Sequence, residues 1–382
     1  MIEVRPVRTR SERKAFLTFP WKVYRDDPLW VPPLIAHRDE VSDPSRGPFF
    51  KHGRAEFFLA RRDGKPAGTL CAAEDYNTTS ALRGAQGEAF AGGECMLGFF
   101  DCVEDQAVAS ALFDAAGDWA HANRLTRLYG TYNLDPEDSR GLHIEGRDRP
   151  PAVLCGHAPP YYRDLFECNG FTKSGPDQLA LAINTDVSTA PIQRLHRLAG
   201  QVRARKEFSV RGANMADWDD EITRIWDLNR RALATPDGAP FYPRQVMADL
   251  LAPFRDLVDP ELILFAMRGD EPVGWLPGIR NFNEVLIHAN GLRHFWNYLP
   301  LLWYGRRPAR CLAIKSVVVP PEYWNSGAAV LLFDEIIHRA NAKGYSWLDL
   351  SLTAEDNPQT ITIAHRMGAQ IYKRYRFYEK AL

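Results

Sequence analysis

The stretch of this chain best suited to holding a ligand lies in its second half. A β-branched run from Ala313 to Val319 stops at Pro320 and Pro321, then passes through Trp324, Asn325, Ser326, Gly327, Ala328 and Ala329 into an apolar-periodic segment ending near Ala340. A strand feeding through small residues into a helix presents unbonded backbone N–H groups and the positive end of a helix dipole. That combination cradles a pyrophosphate, and small residues let the phosphate approach the backbone closely. The same spacing also suits a tight strand-to-helix turn packed with small side chains.

The elements that must position this loop occur twice. Ile2 to Arg5 matches Phe208 to Arg211, and Leu59 to Gly68 matches Phe265 to Gly274, both at an offset of 206. Leu112 to Asp114 matches Leu332 to Asp334, and Leu125 and Leu128 match Tyr345 and Leu348, both at an offset of 220. Constant offsets in the same order identify an internal repeat with one insertion. Each copy reads as a strand, helical segments, a hairpin turning at Asp63-Gly64 or Gly269-Asp270, a central strand, an amphipathic helix, another strand, and a helix ending at Gly170 or Gly368. The expectation is an α/β (α+β) fold of two tandem domains, each a twisted mixed sheet flanked by helices. They divide as residues 1–187, a helical linker 188–207 and residues 208–382. The linker, rich in arginine between Pro191 and Lys206, reads as a connecting helix in preference to a membrane contact. In the first copy the central strand runs into Asp101, Glu104 and Asp105 with no glycine loop, and those carboxylates would repel a pyrophosphate.

Composition narrows the field. A length of 382 residues suits two domains, and 45% hydrophobic residues are enough for two packed cores. With 47 basic and 48 acidic residues the formal charge is -1, so no global field draws the chain onto nucleic acid. The six cysteines form no CxxC pair and no His-rich ligand spacing, which points to reduced thiols in the cytoplasm and to no metal. The N-terminus lacks the apolar run of a signal peptide, and no stretch approaches the 18 apolar residues of a membrane span.

The order of elements and the loop from Trp324 to Ala329 resemble the GNAT superfamily of acyl-CoA N-acyltransferases. The family pattern there is Gln/Arg-x-x-Gly-x-Gly/Ala: Gly327 and Ala329 match it, while Trp324 stands where Gln or Arg is usual. Asn357, followed by a helix and by Gly368, loosely resembles the family's second motif, and Ala364 stands where the family has a tyrosine acid. The segments from Phe19 to Leu34 and from Pro48 to His52 resemble bacterial tandem GNAT-like proteins of about this length, a few of which act as ceramide synthases. The resemblance implies an acyl-CoA co-substrate without a metal. The acyl group, short or long, would pass to the amine of a lipid-like or apolar acceptor such as a sphingoid base. A short-chain acetyltransferase of small amines and a non-catalytic acyl-CoA-binding scaffold are the competing readings, the latter favoured by Trp324 and Ala364.

Acyl transfer to an amine needs a deprotonated nitrogen, a polarised thioester carbonyl and a proton for the leaving thiolate. The resemblance places the polarising N–H among Val317, Val318 and Val319, and the CoA contacts at Asn325, Ser326, Gly327, Ala328, Ala329 and Asn357. For the base, His288 on an expected strand from 284 to 290 comes first and Asp349 second. A hydrogen-bonded core role is the alternative for His288. For the acid the candidates are Tyr372 and Tyr375, which would otherwise simply alternate across a half-buried strand. Asn357 would otherwise cap the last helix. The aromatic segment from His294 to Arg307 suits an acyl channel leading from the 324–329 loop, with Arg306 and Arg307 against anionic headgroups or CoA phosphates. Its plainer reading is a core helix with a basic end, and peripheral contact with the inner membrane is a further expectation.

Overall fold

The computed structural model describes residues 1–76, 93–134, 140–232 and 243–382. In chain order its strands are β1 (Ile2–Pro6), β2 (Gly53–Arg62), β3 (Lys65–Asp75), β4 (Glu94–Cys102), β5 (Arg127–Gly130), β6 (Leu142–Glu145), β7 (Thr172–Lys173) and β8 (Gln178–Asn184). They continue as β9 (Ser209–Gly212), β10 (Ile263–Arg268), β11 (Glu271–Arg280), β12 (Cys311–Ile314), β13 (Trp347–Ala354), β14 (Gln370–Arg376) and β15 (Tyr378–Ala381). Two mixed sheets result, with orders β1-β2-β3-β4-β5-β15-β7 and β9-β10-β11-β12-β13-β8-β14-β6.

Each half begins with the same device. Asp63 and Gly64 take φ of 50° and 77° between β2 and β3, the left-handed pair that a two-residue hairpin loop requires. Gly269 at φ 58° starts the matching turn between β10 and β11. A parallel pair follows in each half, β4 with β5 and β12 with β13, joined by helices Gln106–Ala122 and Ala328–Ala342. Each helix lays an apolar stripe on its own sheet. Leu112 and Ala116 are fully buried on the first, Leu332 and Ile336 on the second. The mixed α/β architecture and its tandem repetition agree with the reading of the sequence.

The sheets do not divide at residue 187. β8, from the first copy, lies between β13 and β14 at the centre of the second sheet, pairing antiparallel with both. In return β15, the last strand of the chain, lies between β5 and β7 in the first sheet. Each parallel pair therefore receives its next neighbour from the other copy. The expected linker likewise belongs to the second core: helix Ala190–Ala204 buries Ile192, Leu195 and Ala199 in the same cluster as Leu331 and Ile337. A sheet interrupted beside β5 or β13 would leave a row of unpaired backbone groups against an apolar core, so neither half completes its hydrogen bonding alone. Residues 1–187 and 188–382 produced separately should therefore give no cooperative melting transition by circular dichroism. Co-expressed, they should co-purify as one folded complex, and independent folding of either piece would contradict the exchange.

Candidate active site

β12 and β13 pair in parallel only over Cys311 to Ala313 and Trp347 to Asp349, then part. β13 passes a bulge between Asp349 and Leu352, with Ser351 at φ 62°, and continues along β8. Beyond β12 the chain leans the other way: Val318 exchanges both backbone hydrogen bonds with Trp275 on β11, at 2.8 and 2.9 Å. A fork opens between them. Because backbone groups alternate along extended chain, the N–H groups of Val317 and Val319 face away from β11 and into the fork. The N–H of Val318 is consumed by Trp275, which removes it from the expected polarising set. The Trp324 indole N–H donates to the Val319 carbonyl at 2.8 Å, so the residue standing in place of the usual Gln or Arg braces the fork.

The loop then turns into helix Ala328–Ala342. Gly327 has φ 94°, and a Cβ there would lie 2.6 Å from Val202 on helix Ala190–Ala204, so both conformation and space demand glycine. Ser326 donates to the Tyr323 carbonyl at 2.7 Å and accepts from the Ala328 N–H at 3.2 Å. The first intrahelical bond runs from the Leu331 N–H to Gly327, which leaves Ala329 and Val330 among the helix-start N–H groups without an intrahelical acceptor. In the first half the equivalent fork is filled by its own chain. A Cβ on Gly98 would fall 1.8 Å from the Tyr132 carbonyl oxygen, and the Asn133 side chain accepts from the Phe99 N–H at 2.8 Å. Asp105 there caps helix Gln106–Ala122, and Asp101 is buried against Arg38 at 3.1 Å instead of standing free to repel an anion.

At the mouth of the open fork sits a buried polar cluster. Asp349 is 0% exposed and accepts from Lys315 Nζ and from the Tyr372 hydroxyl, each at 2.9 Å. Burial opposes the Lys315 charge, but the Asp349 carboxylate outweighs it and holds the ammonium above its ordinary pKa. Burial, then Asp349, pushes the Tyr372 phenol well up, so it stays a donor. Lys315 Nζ also lies 3.9 Å from Cys155 Sγ. Tyr375 is fully buried and donates to the Gly156 carbonyl at 3.1 Å. Both tyrosines turn inward, three residues apart, because β14 bulges between Ile371 and Lys373 and shifts register again before Tyr375.

Several expected residues lie elsewhere. The segment containing His288 is not a strand: Asn283–Leu286 is a helical turn, and the Glu284 carboxylate fastens it by accepting from Arg310 and Cys311 N–H at 2.8 Å. His288 stacks on Tyr304 at 3.7 Å, and burial followed by Arg307 lowers its pKa. As a base, Asp349 is already engaged through both oxygens. Asn357 accepts from the Thr360 N–H at 3.1 Å and caps helix Pro358–Arg366. The aromatic segment faces outward among the described residues: helix Tyr298–Gly305 has no buried residue, and Phe295, Leu299, Leu302 and Trp303 are 60 to 82% exposed. Lys315, Cys155, His143 and His157 escaped the sequence reading, although the Cys155-Gly156-His157 triplet beside prolines was a visible cue. Away from the fork, His196 and His338 approach Asp334, which Arg203 already pairs at 2.8 Å.

Removing one member of a buried ion pair strands the other charge at a cost of about 3–5 kcal/mol. Asp349→Asn or Lys315→Met alone should lower the melting temperature sharply, whereas Lys315→Met with Asp349→Leu should recover most of the loss. Equal melting of the two single variants and the native protein would show that the pair is not structural.

Across its whole length the chain is 28% identical over 386 residues to "Bacterial ceramide synthase" of Caulobacter vibrioides (strain NA1000 / CB15N), covering 98% of that relative. It is also 28% identical over 388 residues to "Protein YghO" of Escherichia coli (strain K12), covering 99% of this chain and 95% of the other. A solved tandem GNAT protein from the clavulanic acid biosynthesis pathway superimposes with a TM-score of 0.57 at 12% identity, over 100% of this chain and 98% of its own. A GCN5-related N-acetyltransferase from Sphaerobacter thermophilus gives 0.52 at 13% identity, over 100% and 95%. Residues 222–369, which include the fork and its loop, match the model of the acetyltransferase (GNAT) family, and the whole chain shares the fold of a tandem GNAT protein.

Proposed function

We propose that the protein transfers a long-chain fatty acyl group from acyl-CoA to the amine of a lipid-like acceptor such as a sphingoid base. The observation that carries the transfer is the single open fork. It combines free N–H groups at Val317 and Val319 with a helix start that can take the CoA pyrophosphate near Asn325, Ser326 and Ala329. The fork resembles the acyl-CoA site of the family, and the name of the Caulobacter relative supports the acyl and amine classes. Lys315, held charged by Asp349, would oppose negative charge developing on the thioester as sulfur leaves. Tyr372 is the nearer of the two expected acids to that pair, while Tyr375 is turned to Gly156.

The lipid class is supported by the exposed segment. Phe295, Trp296, Leu299, Leu302 and Trp303 are each more than half exposed, and the chain from residue 285 to 321 contains no acidic residue but carries Arg293, Arg306, Arg307 and Arg310 besides the paired Lys315. Aromatic and leucine side chains on a short helix rimmed by arginine fit an anionic bilayer surface, at the depth of the headgroups. No helix of the described residues is long and apolar enough to cross a membrane, so this contact would be peripheral.

Two measurements test the proposal. Palmitoyl-CoA should raise the melting temperature well beyond acetyl-CoA, since a ligand at about 100 times its Kd adds roughly 2.7 kcal/mol to the folded state. Ala329→Glu should abolish that rise. Position 329 is the better choice because any side chain at Gly327 meets Val202. Sphinganine with palmitoyl-CoA should then yield the amide by mass spectrometry, with equimolar free CoA thiol. A larger shift with acetyl-CoA would favour a short-chain acetyltransferase, and binding without turnover would favour a scaffold. In the second measurement, vesicles containing phosphatidylglycerol should co-sediment the protein more than pure phosphatidylcholine does. Arg306→Glu and Arg307→Glu should each weaken that preference roughly fivefold, from about 1 kcal/mol per basic side chain. Equal sedimentation with both vesicle types would discard the membrane contact.

A further inference from the structure

Where the two halves meet, a partly open cavity of about 240 Å³ lies between the first-half segment from Tyr24 to Leu34 and the irregular chain from Leu154 to Ala158. Three histidines line it, of which His143 and His157 have buried side chains and His37 is exposed. His157 is 4% exposed, and its Nε2 lies 2.7 Å from Asp27 Oδ2. His143 is 2% exposed, and its Nε2 lies 3.3 Å from the Gly146 carbonyl oxygen. A carboxylate and a carbonyl can only accept, so Nε2 carries the proton in both rings and Nδ1 carries a lone pair. Neither Nδ1 finds a hydrogen-bond partner among the described residues.

A buried acceptor left without a donor costs about 1–3 kcal/mol. Two of them in one wall, with ring centroids 5.4 Å apart, suit one ligand group with N–H donors that reaches both. The charge around them selects its state. Burial, then Lys373 and Arg147, brings His143 down to about 2; burial also lowers His157, against the opposing pull of Asp27, and the same two cations disfavour a positively charged ligand. A neutral primary amine satisfies both conditions, and an ammonium does not. Leu154 and Leu286 add apolar wall for an aliphatic stem. Leu286 precedes His288, which stacks on Tyr304 of the exposed helix, so only a short stretch of chain separates the cavity wall from the proposed lipid-facing segment. At its other end Cys155 lines the cavity and touches Lys315 at the fork.

We infer that this cavity is the acceptor site, that it binds a primary amine on an aliphatic chain, and that His157, oriented by Asp27, takes the amine proton. The inference rests on the acyltransferase reading. In the step, the nitrogen lone pair attacks the thioester carbonyl carbon, the carbon–sulfur bond breaks and CoA leaves as a thiolate. One amine proton passes to His157 Nδ1 and one proton is returned to sulfur, so amide and CoA thiol form with no net change in protons. This is the logic of a carboxylate-oriented histidine base.

The experiment measures binding and turnover separately. Sphinganine alone should raise the melting temperature of the native protein, and hexadecanol should not. In His157→Gln the sphinganine shift should shrink and the rate of amide formation fall about 100-fold or more, while the palmitoyl-CoA shift stays at its native value. Asp27→Asn, which frees the ring to take the other tautomer, should lower kcat at least about tenfold with little change in the KM for palmitoyl-CoA. Native kcat/KM for the amine in His157→Gln would overturn the assignment. An equal shift with hexadecanol would overturn the amine class. In case His157→Gln does not fold, the native protein gives the same answer through ring nitrogen NMR. The Nδ1 resonances of His143 and His157 should move on adding sphinganine, and unchanged resonances would refute the site. Failure of palmitoyl-CoA to bind would instead sink the acyltransferase reading, leaving the sphinganine shift and its dependence on His157 to decide the cavity.

Discussion

The reciprocal exchange of β8 and β15 is the constraint on which the rest of the structure depends. A parallel pair such as β12 and β13 can open into a fork only if each strand keeps a partner on its outer side. β11 supplies one of these partners and β8, carried over from the other copy, supplies the other. Without β8 the outer edge of β13 would be bare, and the strand carrying Asp349 would have nothing to hold it apart from β12. The same crossing brings Tyr372 and Tyr375 on β14 against the first-half segment containing Cys155 and Gly156. The polar cluster is therefore a property of the joined halves and belongs to neither alone.

The two forks show how one fold acquires a division of labour. Both begin from a parallel strand pair with a crossover helix, yet Tyr132 and Asn133 plug the first while the second stays open. The helix starts differ to match. Asp105 satisfies the N–H groups of Ala107 and Val108 in the first half, whereas Gly327 offers no side chain to do so in the second. What the first half contributes instead is a wall: Asp27, His143, His157 and the buried Arg38–Asp101 pair all border the cavity or brace the chain around it. The first copy, with its fork filled, still lines the cavity where the two halves meet.

The positions that departed from the family pattern have physical explanations within the fold. Trp324, in place of Gln or Arg, ties the loop to Val319 through its indole N–H. Ala364 is buried in helix Pro358–Arg366 and packs in the second core, so no tyrosine acid can act from there. Donor capacity near the fork comes instead from Tyr372 on the bulged strand and from Lys315, fixed by one fully buried carboxylate.

The sequence by itself determined the repeat, the two hairpins, the strand-to-helix loop with its obligatory Gly327 and the closing glycines Gly170 and Gly368, because each rests on local conformational rules or on periodic burial. It also placed Asp349 and Tyr372 among the candidates, although their roles as counter-ion and hydrogen-bond donor to one another depend on a contact between strands. Only the tertiary structure decided which strands share a sheet, that residues 178–184 and helix Ala190–Ala204 belong to the second core, and that His288 sits on a turn against Tyr304. It also turned the aromatic segment outward, since a short apolar run gives the same pattern in a core, a channel or an exposed face. The pairing of Asp27 with His157, 130 positions apart, left no mark in local sequence. Such contacts depend on where two distant segments cross, and neither propensity nor periodicity encodes that crossing.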